Sequence, residues 1–198
     1  MRVIINGQES GIQGDSLPKI ADIVELIKAS IDPEHMITQL LLDGRELADN
    51  DWSSPSGAHS TAIIEVETDT PQAFVSARLG KASAVVCECY MQFRDARKSF
   101  QAGDTAKGNQ QLIVAVDTAR AFFEWYGVLL DLMPASERPR YDISKQVGEI
   151  SAICKRICQQ QLYQSWWALG ETLERELEPK LDGLEDFCRK FESAAAAA

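Results

Sequence analysis

The chain is predicted to be an α+β protein, with a small sheet wrapped about one helix in its first third and packed helices from there to the end. Two periodicities and one break carry that prediction. Up to about Thr68, short β-branched runs alternate with Asn-Gly and Asp-Gly turn signals. From Gln72 onward, large apolar residues return every three or four positions, the spacing of one helix face. Thr68 to Pro71, polar and ended by proline, reads as the connection. The expected division is therefore 1–68, a linker at 69–71, a helical bundle over 72–193 and an alanine tail at 194–198.

Composition bounds the partners. The 198 residues are 45% hydrophobic, and 20 Lys plus Arg against 30 Asp plus Glu leave a net charge of -10. Such a charge disfavours nucleic acid and anionic membrane and favours basic or apolar protein surfaces. No run reaches the roughly 18 to 20 apolar residues of a membrane-spanning helix. Met1 to Ser10 lacks the regions of a secretory signal, so a cytoplasmic protein is expected.

Taken in order, Val3 to Ile5 is a β-branched run broken by Asn6-Gly7, with Ser10 to Gln13 as a short return strand. Ser16 is the expected N-cap of a helix with Pro18 in its first turn. Ile20, Ile23, Val24, Ile27 and Ile31 give that helix its apolar face until Asp32-Pro33 stops it. Met36 to Leu42 reads as a strand, Asp43-Gly44 as a turn, and Ala62 to Val66 as a closing strand. Asp49 to Ser60 is polar and expected to be a mobile loop.

The order strand, strand, helix, strand, short strand, strand is that of a β-grasp. The wording of Met1-Arg2-Val3-Ile4-Ile5, of Asp32-Pro33-Glu34, of Leu40 to Leu47 and of Thr61 to Val66 resembles ubiquitin over the first third of the chain. The resemblance implies a ubiquitin-like β-grasp. Modifiers of that family end in a free Gly-Gly, whereas here Val66 runs on into Glu67 and a long helical region, so conjugation is excluded by covalent layout and recognition remains.

In the helical region one helix is expected from Gln72 through Phe74, Val75, Leu79, Ala82, Val86, Cys89, Tyr90 and Phe93 to Phe100, and Asp104 is the expected N-cap of the next. That next helix, Leu112 to Met133, is expected to organise the rest. Leu112, Val116, Ala119, Phe123, Tyr126, Leu130 and Met133 form its stripe, and Ile113, Phe122, Trp125, Val128, Leu129 and Leu132 widen it beyond the roughly 100° of a surface helix, so it should be mostly surrounded. A third helix opens at Asp142 or Ser144. A fourth runs from about Trp166 to Phe191 with a kink at Pro179; the rival is one longer helix broken only at Glu178-Pro179. The four would pack as an antiparallel up-down bundle.

Chemistry-bearing residues are few. Cys154 and Cys158 share a helix face and could join Cys87 or Cys89 and Cys188 in a thiolate metal site, but each replaces an apolar residue in a stripe, and core packing is expected. His35 and His59 have no nucleophile beside them and are expected on the surface. The acidic series Glu171, Glu174, Glu176, Glu178, Asp182, Glu185 and Asp186 lacks the spacing of a calcium or di-iron site and reads as a solvated face. The glycines form no phosphate loop. No catalytic residue, metal ligand or cofactor is predicted.

Aromatic residues are the remaining signal. Phe122, Trp125 and Tyr126, with Tyr163, Trp166 and Trp167, lie on too many sides to enter one core, so these six are the candidate partner-binding residues. The expected function is a non-enzymatic adaptor or chaperone that receives an apolar helix of a protein partner. Phe100 to Asn109, leading into an apolar helix, looks like the inter-helix region of bacterial flagellar export chaperones. The alternatives are a metal- or redox-active helical bundle enzyme and a homodimeric structural protein.

Overall fold

The computed structural model describes residues 1–12 and 17–195. It is α+β: a five-stranded mixed sheet followed by helices. The chain divides into two compact units, Met1–Phe74 and Val75–Ala198. The boundary falls within a helix, and only Thr70 separates the last strand from that helix, so the linker expected at 69–71 is a single residue. No helix of the described residues is long and apolar enough to cross a membrane.

In the first unit, β1 (Arg2–Ile5) turns directly into β2 (Gln8–Glu9). Asn6 and Gly7 both adopt positive φ, 50° and 77°, as a two-residue hairpin requires, and Ile5 pairs with Gln8. The return strand therefore lies before the expected Ser10 to Gln13 stretch, of which Gln13 is outside the described residues. After α1 (Ile20–Ser30), β3 (Met36–Leu42) and β4 (Arg45–Glu46) repeat the device through Asp43-Gly44 at φ 51° and 78°. β5 (Ile63–Asp69) lies between β1, to which it is parallel, and β3, giving the order β2-β1-β5-β3-β4. Val3, Leu42, Ile64 and Val66 form one core cluster with Ile20, Ile23, Val24 and Ile27 of α1. Burying each such side chain is worth roughly 1.5–3 kcal/mol.

Several local readings need correction. Pro18 precedes α1, whose N-cap is Lys19; Ser16 lies outside the described residues. The segment Asp49 to Ser60 is tied down: α2 (Asp49–Trp52) and a 3-10 turn at Ser56–His59 occupy it. Ser56 donates its backbone N–H to Pro18 O at 3.0 Å and its hydroxyl to Leu17 O. His59 Nε2 sits 3.2 Å from Ser54 Oγ and His35 Nδ1 3.5 Å from Thr68 Oγ1, so both rings are half-buried.

The second unit starts with a break. α3 (Pro71–Leu79) ends at Gly80 and α4 (Ala82–Gln101) starts anew, where one helix was expected. Gly103 at φ 81° reverses the chain after α4: the Asp104 N–H reaches back to Ser99 O, and the Asp104 side chain then caps α5 (Thr105–Asp131) by accepting from Lys107 N at 3.1 Å. A 3-10 turn at Arg138–Tyr141 leads to α6 (Ser144–Leu162), whose first N–H is held by Asp142 Oδ1 at 2.9 Å. α7 (Trp166–Thr172), a π turn (Leu173–Leu177) and α8 (Glu178–Ala195) complete the unit.

A π turn immediately precedes Pro179, where a kink was expected. Leu169, Leu173, Leu177 and Leu181 are all at most 1% exposed although spaced by four. In an unbroken α-helix each step of four drifts on the order of 40°, so three steps would carry Leu181 off the core face. One wider turn, in which the Glu178 N–H reaches Leu173 O five residues back, absorbs the drift.

The centre of the unit is α4. It packs against α5, α7, the π turn and α8, while the principal partner of α5 is α4 alone. The buried stripe of α5 is Leu112, Ala115, Ala119, Phe122, Tyr126 and Leu129, with Met133 buried just beyond its end. It is rotated from the expected one, with Val116, Phe123 and Leu130 only half-buried. Ile113, Val114 and Val128 are 59%, 52% and 62% exposed, so α5 is not mostly surrounded.

Asp51 offers a test of the first unit. Arg45 Nη1 and Nη2 donate to its carboxylate at 2.6 and 3.0 Å, and Ala48 N–H at 2.8 Å. The Arg45 hydrogen bond first, and that of Ala48 second, hold this carboxyl from its ordinary 3.8 down to about 2. A folded value below the unfolded one stabilises the fold above the unfolded pKa, and the contribution is lost as pH falls through the folded one. Urea melts read from the Val3 and Ile64 amide signals should therefore lose stability between pH 3.8 and about 2, and Asp51→Asn should flatten that limb.

Candidate functional site

The exposed aromatic residues gather where α6 gives way to α7. Gln164 takes φ 54°, an uncommon left-handed conformation for a side chain of this kind. The Ser165 N–H then reaches Gln160 O at 2.8 Å and the Tyr163 N–H reaches Gln159 O at 3.0 Å, closing the end of α6. Gln160 Nε2 also donates to Thr172 Oγ1 at 2.9 Å, tying α6 to α7. The reversal leaves Leu162, Tyr163 and Trp167 at 77%, 76% and 80% exposure on one corner. Three large apolar side chains so exposed within six residues of one turn are a local concentration of surface apolarity.

Beside that corner two rings stack. Phe100, the penultimate residue of α4, stacks on Trp166 with centroids 5.5 Å apart and planes within 9°. Gly108 on α5 makes room for the phenyl ring: a Cβ there would lie 2.8 Å from Phe100 Cδ1 and Cε1. Phe100, Gln101, Trp166, Trp167, Gly170 and Glu171 line a shallow cleft of about 250 Å³. Glu171 at its rim pairs with Arg175 at 2.8 Å.

The six predicted residues separate into three groups. Trp166 and Trp167 share the cleft at the corner, and Tyr163 stands exposed just before the Gln164 turn. Trp125 is half-buried on α5, its indole 5.9 Å from the Phe122 ring. Phe122 and Tyr126 are buried, at 3% and 1% exposure, and are core rather than surface. Burial raises the Tyr126 phenol above its ordinary range, and its hydroxyl donates to Tyr141 O at 2.8 Å. Leu162 and Phe100 belong to the corner and were missed; a glycine at 108, inside an otherwise good helix, was the available sign of a large ring close by.

The reactive side chains are dispersed. Cys87, Cys89, Cys154, Cys158 and Cys188 are free, and Cys158 is exposed, contrary to the expectation that all five sit in apolar stripes. Burial pushes the Cys89 and Cys154 thiols up to about 11 and Cys188 up to about 12, which keeps them protonated near neutrality. No group of three or more His, Cys, Asp or Glu able to hold a metal converges among the described residues.

The acidic series is not simply a solvated face. Glu178, 6% exposed, accepts from Arg97 Nε of α4 at 2.6 Å, Glu174 pairs with the same guanidinium at 3.2 Å, and Glu176 pairs with Arg156 of α6. On the sheet unit, Ile4, Gly7, Gln39, Leu41 and Glu65 to Glu67 line a separate open cleft of about 320 Å³.

No family model, curated protein or solved structure matches this chain.

The Phe100 stack can be tested directly. Gly108→Ala gains up to ~1 kcal/mol of helix propensity but drives a methyl into a ring already stacked on Trp166. Overpacking of this kind costs about 1–3 kcal/mol. The variant should melt at lower temperature and lose the ring-current shift of the Trp166 indole.

Proposed function

We propose that the protein is a non-enzymatic interaction module that binds an apolar helix or peptide of a partner protein at the α6–α7 corner. The observation that carries this is the exposure of Leu162, Tyr163 and Trp167 at 77%, 76% and 80% beside the stacked Phe100–Trp166 pair. Tyrosine and tryptophan are among the side chains that dominate binding energy at protein interfaces. The cleft beside them suits one or two apolar side chains of a ligand.

The architecture supports the same reading. In this proposal the first unit is a ubiquitin-like β-grasp; the order β2-β1-β5-β3-β4, with parallel β1 and β5 beside each other and α1 on the core, is what that fold requires. α4, α5, α6 and the run from α7 to α8 are read as an up-down four-helix bundle, a scaffold of the kind export chaperones use to hold helices. With β5 continuing to Asp69 and into α3, the β-grasp serves recognition.

The test is a pull-down from native extract with the intact protein and with the double variant Tyr163→Ser and Trp167→Ser. Both side chains are exposed, so folding should be unchanged. A captured protein should be lost from the variant, with affinity falling about 30-fold or more for one lost hot spot of ~2 kcal/mol. Equal recovery on variant and wild type, or nothing above blank matrix, refutes the proposal.

A further inference from the structure

A different face, the outward side of α5, carries its own pattern. Val114, Thr118, Ala121, Trp125, Val128 and Leu132 are spaced 4-3-4-3-4, the seam of a coiled coil. It lies about 110° around the helix from the stripe buried against α4. Val114 and Val128 are 52% and 62% exposed, Leu132 is 38% exposed and Ala121 is exposed, with Thr118 and Trp125 half-buried between. The seam spans roughly 27 Å, long enough for five turns of a second helix.

Charge selects what can lie there. Immediately beside the seam, at intervals of seven, stand Asp117, Glu124 and Asp131, all exposed. Arg120 at 3.1 Å from Asp117 and Arg138 at 3.5 Å from Asp131 are solvent-exposed partners that offset the row only weakly. The opposite flank, Ala115, Phe122 and Leu129, is already buried. A second copy laid antiparallel would set acidic row against acidic row, and a parallel copy would need that buried flank. Self-association is thus opposed by like charge. At the Val114 end a cleft of about 260 Å³ between α4 and α5 is lined by Gln92, Asp95, Gln110, Gln111 and Val114.

We infer that the outward seam of α5 docks an amphipathic helix of a partner protein whose apolar stripe is flanked by Lys or Arg at heptad spacing. The inference goes beyond the α6–α7 corner and shares none of its residues. Its probes are two synthetic helical peptides with the same Leu and Ile seam, one carrying Lys and the other Glu at the flanking heptad positions, titrated against the full chain by fluorescence anisotropy.

The Lys peptide should bind at least about tenfold more tightly than the Glu peptide, with affinity falling as salt rises. The triple variant D117K, E124K and D131K should reverse that order, and Val128→Asp should abolish binding of both. Tyr163→Ser with Trp167→Ser should leave it intact, which separates this surface from the corner. Binding of neither peptide by roughly 1 mM, equal binding of both, or a wild-type dimer in sedimentation that Val128→Asp dissociates would overturn the inference.

Discussion

The helical unit depends on α4 lying between α5 and the continuous run from α7 to α8. Phe93 and Val86 are fully buried there, and Ala82, Ser83, Ala96 and Ser99 on the same helix are small enough to let α5, α7 and α8 approach it closely. Apolar packing of this kind is strong but tolerant of sliding. Register needs a directional contact, and Arg97 supplies one: its guanidinium meets Glu178 and Glu174 where the π turn joins α8. With side chains 12% and 8% exposed, the Arg97–Glu178 pair is costly to desolvate and far costlier to break from one side, which penalises any other setting of α8 on α4.

The surfaces left open follow from that arrangement. Because α4 occupies the centre, α5 meets a principal neighbour along only one flank, and a helix apolar on two sides then shows one of them to solvent. Likewise α6 ends in a left-handed turn at Gln164 rather than continuing, so the aromatic residues on either side of the turn are thrown outward while Leu169 just beyond is fully buried. Both exposed patches are consequences of the core's geometry, and both persist because the buried stripes beside them are satisfied.

How much of this was legible in the sequence depended on range. Asn6-Gly7, Asp43-Gly44 and Asp104 could be read because backbone sign and capping are decided within four residues. The break at Gly80 was hidden because Val75, Leu79, Ala82 and Val86 keep helical spacing straight through it. The stripe of α5 came out rotated because adjacent pairs such as Phe122 and Phe123 make two apolar faces almost equivalent, and only contact with α4 chooses between them. Arg97 with Glu178, and Phe100 with Trp166, lie far apart in the chain, and no local pattern links them.

The π turn is the instructive intermediate. Its cause was in plain view, since leucines at 169, 173, 177 and 181 advance by four where a helix needs an average of 3.6. A kink at Pro179 and a widened turn before it are both ways to accommodate such a run. With the widened turn all four leucines are buried and Glu178 meets Arg97. Proline's missing N–H falls where the helix is already rearranged.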